Sequence, residues 1–339
     1  MSRYAMLLAP SANRVYADQA SRIAQAELAA FGPVLSSGLA DVEVTVLGGV
    51  EYLTFEGSLS ERDIAYLSNL SAAYALFERA GEELLRPLTL SPLAVYDSDL
   101  ITIPKYAGKT NEQFTKLVLN LTVLASASAG RMLDGDLTVL DPLCGRGTTL
   151  NQALMYGYDA IGVEIDGTDL EAYKLFLQTW LKIKRLKHTS EMVPMRANGK
   201  RTRRLEVRLA PTKDDFKAGA QTLAVIQGDT TDLDGLLGRN LADVLVADLP
   251  YGVAHGSHDG EGRITRSPLD LLERAAPEWL PRLRPGGAIG LSWNTKVAGR
   301  EQAEDILLAN GLELVEHLPL SHRVDQGIER DVLVARKSG

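Results

Sequence analysis

The sequence contains very little cysteine, no long apolar run and an excess of acidic residues. One cysteine, Cys144, occurs among 339 residues, which excludes an intramolecular disulfide and a metal site built on a cysteine cluster. No apolar run approaches the roughly 20 residues that a membrane-spanning helix requires. The first residues become polar too soon for a signal peptide. These absences predict a protein of the reducing cytoplasm.

The net charge of −8 is unfavourable for a nucleic-acid-binding protein, because phosphate groups attract lysine and arginine. The positive charge is nevertheless concentrated: residues 182–213 contain eleven Lys or Arg and two Glu, a local net charge of +9. A charged run is usually a solvated face, but in an acidic chain it favours contact with a polyanion. The candidate contacts are Lys182, Lys184, Arg185, Arg201, Arg203 and Arg204.

The length of 339 residues fits one large domain and one smaller domain. Alternating apolar residues at 42–47 and 52–55, separated by two glycines, predict a hairpin, and Ser60 to Asp63 has capping-box spacing. Residues 1–92 are therefore predicted to form a small α+β domain without a catalytic constellation. Residues 93–339 alternate between strand and helix patterns, which is typical of a parallel α/β sheet.

Seven strands are expected in this second domain, at 137–141, 159–164, 222–227, 243–247, 286–292, 312–318 and 328–336. Thr110 and Gln113 also have capping-box spacing, which predicts a helix to about Ala127. The connection at 188–221 is unusually long, and Asn198-Gly199 suggests that it contains a basic hairpin.

A glycine-rich loop follows the first of these strands. The loop, Asp141-Pro-Leu-Cys-Gly-Arg-Gly-Thr-Thr149, lacks the lysine of a P-loop and the third glycine of a dinucleotide fingerprint. The next strand ends in Glu164, where a carboxylate is placed to accept hydrogen bonds from ribose hydroxyls. A cofactor with a ribose and no phosphate, such as S-adenosylmethionine (SAM), satisfies this pattern.

The loop resembles the SAM motif of class I amino-methyltransferases, usually written Asp-Pro-Phe-Cys-Gly-Ser-Gly-Thr. Asp248-Leu-Pro-Tyr251 resembles their catalytic motif, Asn/Asp-Pro-Pro-Tyr/Phe, and follows about a hundred residues later. The Asp-Leu-Pro-Tyr-Gly variant is most similar to tRNA guanosine-N2 methyltransferases whose catalytic domain often accompanies a THUMP domain. This resemblance covers roughly residues 95–336. It implies a seven-stranded, Rossmann-like class I sheet, and an RNA-binding role for the N-terminal domain.

The resemblance also implies roles for individual residues. Asp248 and the Pro250 carbonyl would accept the two hydrogens of an amine, Tyr251 would stack on an extracted base, and Leu249 and Gly252 would contact the substrate. Leu249 stands where many relatives have proline, which points away from DNA adenine enzymes. The implied cofactor ligands are Asp141, Gly145, Gly147, Thr148, Glu164 and Asp229, the last of these reading the adenine. Thr110 and Asn111 either contact the methionine end of SAM or only cap their helix.

Three functions remain open at this point. The first is a SAM-dependent N-methyltransferase that modifies guanosine N2 in tRNA. The second is the same chemistry on DNA, a protein side chain or a small-molecule amine, and the third is a non-catalytic SAM- and RNA-binding module. No metal site is predicted, because the histidines lack paired ligand spacing except at His255 and His258. The polar stretch 322–331 either lines the substrate pocket or forms a simple hairpin loop.

Overall fold

A computed structural model describes residues 2–10, 19–81, 84–106, 108–251, 257–258, 264–265 and 267–339. Its N-terminal part is an antiparallel sheet with the order β2-β3-β1-β4-β5. These strands are β1 (Ser2–Leu8), β2 (Ala40–Leu47), β3 (Val50–Gly57), β4 (Ala73–Ala80) and β5 (Leu84–Leu88). Two helices accompany them, α1 (Ala20–Phe31) and α2 (Glu61–Leu67). The predicted hairpin is thus confirmed in β2 and β3.

The start of α2 confirms the predicted capping box. The Ser60 hydroxyl accepts a hydrogen bond from the Asp63 amide at 3.2 Å, and the Asp63 carboxylate accepts one from the Ser60 amide at 2.8 Å. Two of the amides that lack partners at a helix start are satisfied in this way.

The main sheet has ten strands, nine of them in the order β15-β17-β14-β11-β6-β7-β10-β9-β8, with β16 also paired to β17. A separate pair is formed by β12 and β13. The bounds are β6 (Thr138–Asp141), β7 (Asp159–Glu164), β8 (Lys187–Ala197), β9 (Lys200–Ala210), β10 (Gln221–Gln227), β11 (Ala242–Asp248), β12 (Ser257–His258), β13 (Ile264–Thr265), β14 (Leu283–Asn294), β15 (Leu312–Leu314), β16 (His322–Arg323) and β17 (Glu329–Lys337).

The central strands are parallel and β17 runs antiparallel between β14 and β15, as the class I arrangement requires. The predicted Rossmann-like fold is confirmed. The sheet has three strands more than the predicted seven: the basic connection forms the hairpin β8–β9, which pairs with β10 and extends the sheet, and the short β16 pairs with β17. Asn198 and Gly199, both with positive φ, form its turn as predicted.

Seven helices accompany the main sheet in the described part of the chain. They are α3 (Asp99–Thr102), α4 (Glu112–Ala125), α5 (Thr148–Met155), α6 (Gly167–Ile183), α7 (Lys213–Gly219), α8 (Pro268–Trp279) and α9 (Arg300–Ala309). None of the helices within the described ranges is long and apolar enough to cross a membrane.

The predicted cap of α4 is wrong by one residue. Asn111, not Thr110, caps this helix, and its side-chain oxygen accepts a hydrogen bond from the Phe114 amide at 3.2 Å. Thr110 instead reaches the end of β11. The middle of α4 is deeply buried, and Leu117 belongs to the same apolar core as Phe55 of the N-terminal sheet and Val139 of the main sheet.

Candidate active site

Both sequence motifs line one cavity, of about 610 Å³, at the carboxyl ends of β6 and β11. Gly145 of the glycine-rich loop and Asp248 of the second motif both lie in its wall. These two strands are neighbours in the sheet, with Leu140 paired to Leu245. In open α/β sheets, ligands bind at this edge.

The glycine-rich loop turns sharply between β6 and α5. Gly145 and Gly147 have φ values of +50° and +79°, a region that disfavours side chains. A Cβ added at Gly147 would also overlap the ring of the buried Tyr173. The loop therefore requires glycine both for its backbone conformation and for its packing on α6.

Buried carboxylates hold this loop in place. Glu164 accepts hydrogen bonds from the Gly145 amide at 2.8 Å and from the Asp166 amide at 2.7 Å. Asp141 is 4% exposed and accepts one from the Leu143 amide at 3.0 Å. Burial raises the pKa of Asp141 to about 7, and the nearby Asp248 and Glu164 add to the effect. Burial also raises the pKa of Glu164.

Three hydroxyl groups orient the Asp248 carboxylate. One carboxylate oxygen accepts a hydrogen bond from the Thr110 hydroxyl at 2.5 Å. The other accepts from the hydroxyls of Tyr251 and Ser292. Since a carboxylate offers about four acceptor positions, one remains for a ligand.

The residues after Asp248 differ in their access to the cavity. Leu249 is 1% exposed and its amide bonds the Ser292 carbonyl at 2.8 Å, so only a small part of it reaches the wall. Pro250 and Tyr251 also line the cavity. The Arg330 guanidinium lies over the Tyr251 ring, 4.9 Å from its centroid, so one ring face is covered. Gly252 and His255 lie outside the described residues.

The other predicted cofactor ligands occupy varied positions. Thr110 contacts Asp248, and Asn111 caps α4, as the helix-capping alternative allowed. The Thr148 hydroxyl lines the cavity and lies 2.7 Å from the Tyr106 hydroxyl. The Asp229 carboxylate accepts hydrogen bonds from the amide and hydroxyl of Thr231, both at 2.8 Å. The proposed contact of Asp229 with adenine stays a prediction.

The six predicted basic contacts do not form one surface. Lys182, Lys184 and Arg185 end α6 at the edge of the sheet opposite the cavity. Arg201, Arg203 and Arg204 begin β9 at the cavity edge, because Arg204 pairs with Ile226 near the end of β10.

Ion pairs also engage three of the six. Lys184 binds Asp97 and Asp99, Arg203 binds Glu171, and Arg204 binds Glu206. The exposed members are Lys182, Arg185 and Arg201.

Sequence reasoning assigned no role to Arg146, although it lies within the glycine-rich loop, or to Ser292, which belongs to no motif. Arg146 bonds Asp169 at 2.8 Å and its guanidinium lies 5.2 Å from the ring centroid of Tyr106. Ser292 joins from β14. The polar stretch 322–331 does line the cavity, through Val324, Asp325, Ile328 and Arg330. Across the described ranges, no three His, Cys, Asp or Glu residues are grouped to hold a metal ion.

Comparison with protein families supports the interpretation of this cavity. Residues 126–283 match the UPF0020 family, described as an RMKL-like methyltransferase domain. The match includes both the glycine-rich loop and Asp248, and it identifies this region as a SAM-dependent methyltransferase domain. SAM suits the cavity, because the carboxylates of Asp141 and Asp248 complement a sulfonium cation. Comparison with curated proteins found no match.

A comparison with solved structures found several that are similar to this chain. A Pyrococcus horikoshii protein proposed to be an RNA methyltransferase is 16% identical, with 72% of this chain and 91% of that chain covered and a TM-score of 0.40. A TehB-like SAM-dependent methyltransferase from Corynebacterium glutamicum is 18% identical over 60% and 80% of the two chains, with a TM-score of 0.34. The N-methyltransferase NodS from Bradyrhizobium japonicum is 11% identical over 67% and 96%, with a TM-score of 0.39.

Proposed function

We propose that this SAM-dependent methyltransferase modifies an exocyclic amine of a nucleobase, and that its acceptor is guanosine N2 in tRNA. The observation that carries the proposal is the Asp248 carboxylate, which is held by three hydroxyls beside the glycine-rich loop. Such preorganisation suits a group that positions an acceptor rather than one that only caps a strand.

The chemistry requires little more than positioning. SAM supplies an activated methyl group when bound, whereas the lone pair of a base amine is delocalised into the ring. Asp248 and the Pro250 carbonyl would accept the two amine hydrogens and so concentrate the lone pair on nitrogen. After transfer the nitrogen carries one proton too many, and the Asp248 carboxylate can accept it.

Exposed cations at the same edge of the sheet as the cavity support a polyanionic acceptor. Lys200 and Arg201 are exposed at the start of β9, at the same edge of the sheet as Asp141 and Glu164. In a chain with a net charge of −8, this position favours RNA phosphates. We further propose that residues 1–92 form an RNA-binding domain, residues 93–339 form the catalytic domain, and the protein acts in the cytoplasm.

Mass spectrometry of tRNA nucleosides tests this function directly. Cells that lack the gene should lose one N2-methylated guanosine, and wild-type protein should restore it. The Asp248→Ala variant removes both acceptor oxygens at this position, so it should bind SAM but restore no methylation. An unchanged nucleoside profile in the deletion strain would exclude tRNA guanosine as the acceptor.

The same variant separates catalysis from scaffolding. If Asp248→Ala supports growth and tRNA maturation as well as the wild type, the protein acts as a binding module. If purified protein methylates DNA, a protein or a small amine instead of tRNA, the chemistry stands and the acceptor is different.

A further inference from the structure

The wall of the active-site cavity contains a buried cation without a counter-charge. Arg330, in β17, is 5% exposed, and within the described part of the chain its guanidinium makes neither an ion pair nor a hydrogen bond. Two aromatic rings flank the guanidinium. The guanidinium carbon lies 4.5 Å from the ring centroid of Phe114 and 4.9 Å from that of Tyr251.

Burying this guanidinium costs free energy unless a ligand supplies the missing negative charge. A buried charge is normally paired, because transfer from water to a protein interior removes its hydration. The two rings compensate in part through cation–π interactions, and they fix the guanidinium plane. They leave the buried Nε–H without a hydrogen-bond partner in the described part of the chain, and the N–H groups of a guanidinium form a fork that binds carboxylate or phosphate oxygens.

The strand order indicates which ligand Arg330 faces. The glycine-rich loop follows β6, on one side of β11, whereas Arg330 belongs to β17, which lies beyond β14 on the other side of β11. Neighbouring strands lie about 4.8 Å apart, so Arg330 is displaced by roughly two strand spacings from Asp248, away from the cofactor loop. Asp248 thus separates the SAM side of the cavity from the side of Arg330.

We propose that Arg330 binds a phosphate group of the target nucleotide and thereby fixes the acceptor base against Asp248. This inference rests on the proposed function, since it takes the acceptor to be a nucleotide. Arg330 would be a binding residue that sets substrate affinity, and it would leave the affinity for SAM unchanged.

Equilibrium binding tests the proposal without turnover. Guanosine 3′,5′-bisphosphate and guanosine are titrated into the SAM-saturated wild-type protein and into the Arg330→Gln and Arg330→Lys variants, and SAM is titrated into all three. The wild type should bind the bisphosphate at least about tenfold more tightly than guanosine. Arg330→Gln should abolish this preference and Arg330→Lys should retain part of it, with SAM affinity constant.

Three results would overturn the inference. The wild type could show no preference for the bisphosphate, or the preference could survive in Arg330→Gln. Alternatively, Arg330→Gln could weaken SAM binding instead, which would assign the cation to the methionine carboxylate. Melting temperatures of the ligand-free variants identify misfolding, and Arg330→Lys keeps the charge if the Gln variant fails to fold.

The outcome is distinguishable from failure of the proposed function. If the preference for the bisphosphate over guanosine depends on Arg330 but no tRNA is methylated, the role of Arg330 in phosphate binding is confirmed and the acceptor is another nucleotide. If tRNA is methylated and the Arg330→Gln variant has unchanged kcat and KM, the role assigned to Arg330 fails alone.

Discussion

At the scale of single residues, the site is governed by buried acids that lie close together. Asp141 is 4% exposed, and its pKa of about 7, against an ordinary value of 3.8, results first from burial and then from the charges of Asp248 and Glu164. The folded, ligand-free protein therefore holds a proton on Asp141 over a range in which the unfolded chain has lost it. A bound sulfonium cation would favour the ionised form.

This difference predicts how stability depends on pH. The proton on Asp141 contributes its full stabilisation of the folded state below about pH 4. This contribution to the free energy of unfolding is lost as the pH rises through about 7, by at most about 1.4 kcal/mol per pH unit. The Asp141→Asn variant should have a flatter profile of unfolding free energy between about pH 5 and about pH 8, measured by urea denaturation without SAM. Glu164, whose pKa is also raised, remains in both proteins, so their difference isolates Asp141. Identical slopes would contradict the assignment.

At the scale of elements, the basic connection is first of all a structural hairpin. Leu205, Val207 and Leu209 of β9 are buried in the main core, and alternation turns their neighbours to the other face. The hairpin spans the height of the sheet, since β8 has 11 residues and each rises about 3.3 Å. Its turn therefore lies at the cavity edge, and its base lies at the opposite edge.

This geometry predicts an unequal role of two cation pairs in RNA binding. Lys200→Ala with Arg201→Ala, at the cavity edge, should weaken tRNA binding and lower the slope of log affinity against log salt by about 1 to 2. Lys182→Ala with Arg185→Ala, at the opposite edge, removes the same charge from equally exposed positions and should change the slope little. Binding is measured by fluorescence anisotropy over a salt series. Equal losses in both variants would mean that only the total charge matters.

The elements and the motifs could be predicted from the sequence, because their signals are local. Period-two alternation marks strands such as β2, and the Asn198-Gly199 turn needs only neighbouring residues. The partners of Asp248 could not be predicted in the same way. Thr110 and Ser292 are 138 and 44 residues away from it, and only the tertiary fold brings them together. For the same reason, no sequence motif identified Arg330 as a residue of the site.

At the scale of the whole molecule, a buried polar network joins the N-terminal part of the chain to two helices of the main sheet, α4 and α5. The Asn120 amide of α4 donates hydrogen bonds to the Glu27 carboxylate and to the Asn69 carbonyl, both at 2.7 Å, and accepts one from the Tyr156 hydroxyl at 2.7 Å. Glu27 also binds the Ser71 amide at 3.0 Å. Burial raises the pKa of Glu27, and the hydrogen bonds from Ser71 and Asn120 oppose this shift because they stabilise the carboxylate.

Because the network crosses from the N-terminal sheet to the main sheet, we expect both to unfold in one transition. The Asn120→Leu variant removes three hydrogen bonds and leaves the Tyr156 hydroxyl and the Asn69 carbonyl only their long contact of 3.5 Å with each other, which should lower the free energy of unfolding by about 3 kcal/mol or more. In urea, tryptophan fluorescence reports only the main sheet, since Trp180, Trp279 and Trp293 are the three tryptophans, whereas circular dichroism reports both sheets. The two curves should coincide in the wild type and in the variant, with a lower midpoint in the variant.

The Asn310→Leu variant serves as a control, because it removes only a local hydrogen bond at the end of α9. It should lower the free energy of unfolding by less than about 1 kcal/mol. A separate transition seen by circular dichroism alone would show that residues 1–92 fold independently of the catalytic domain.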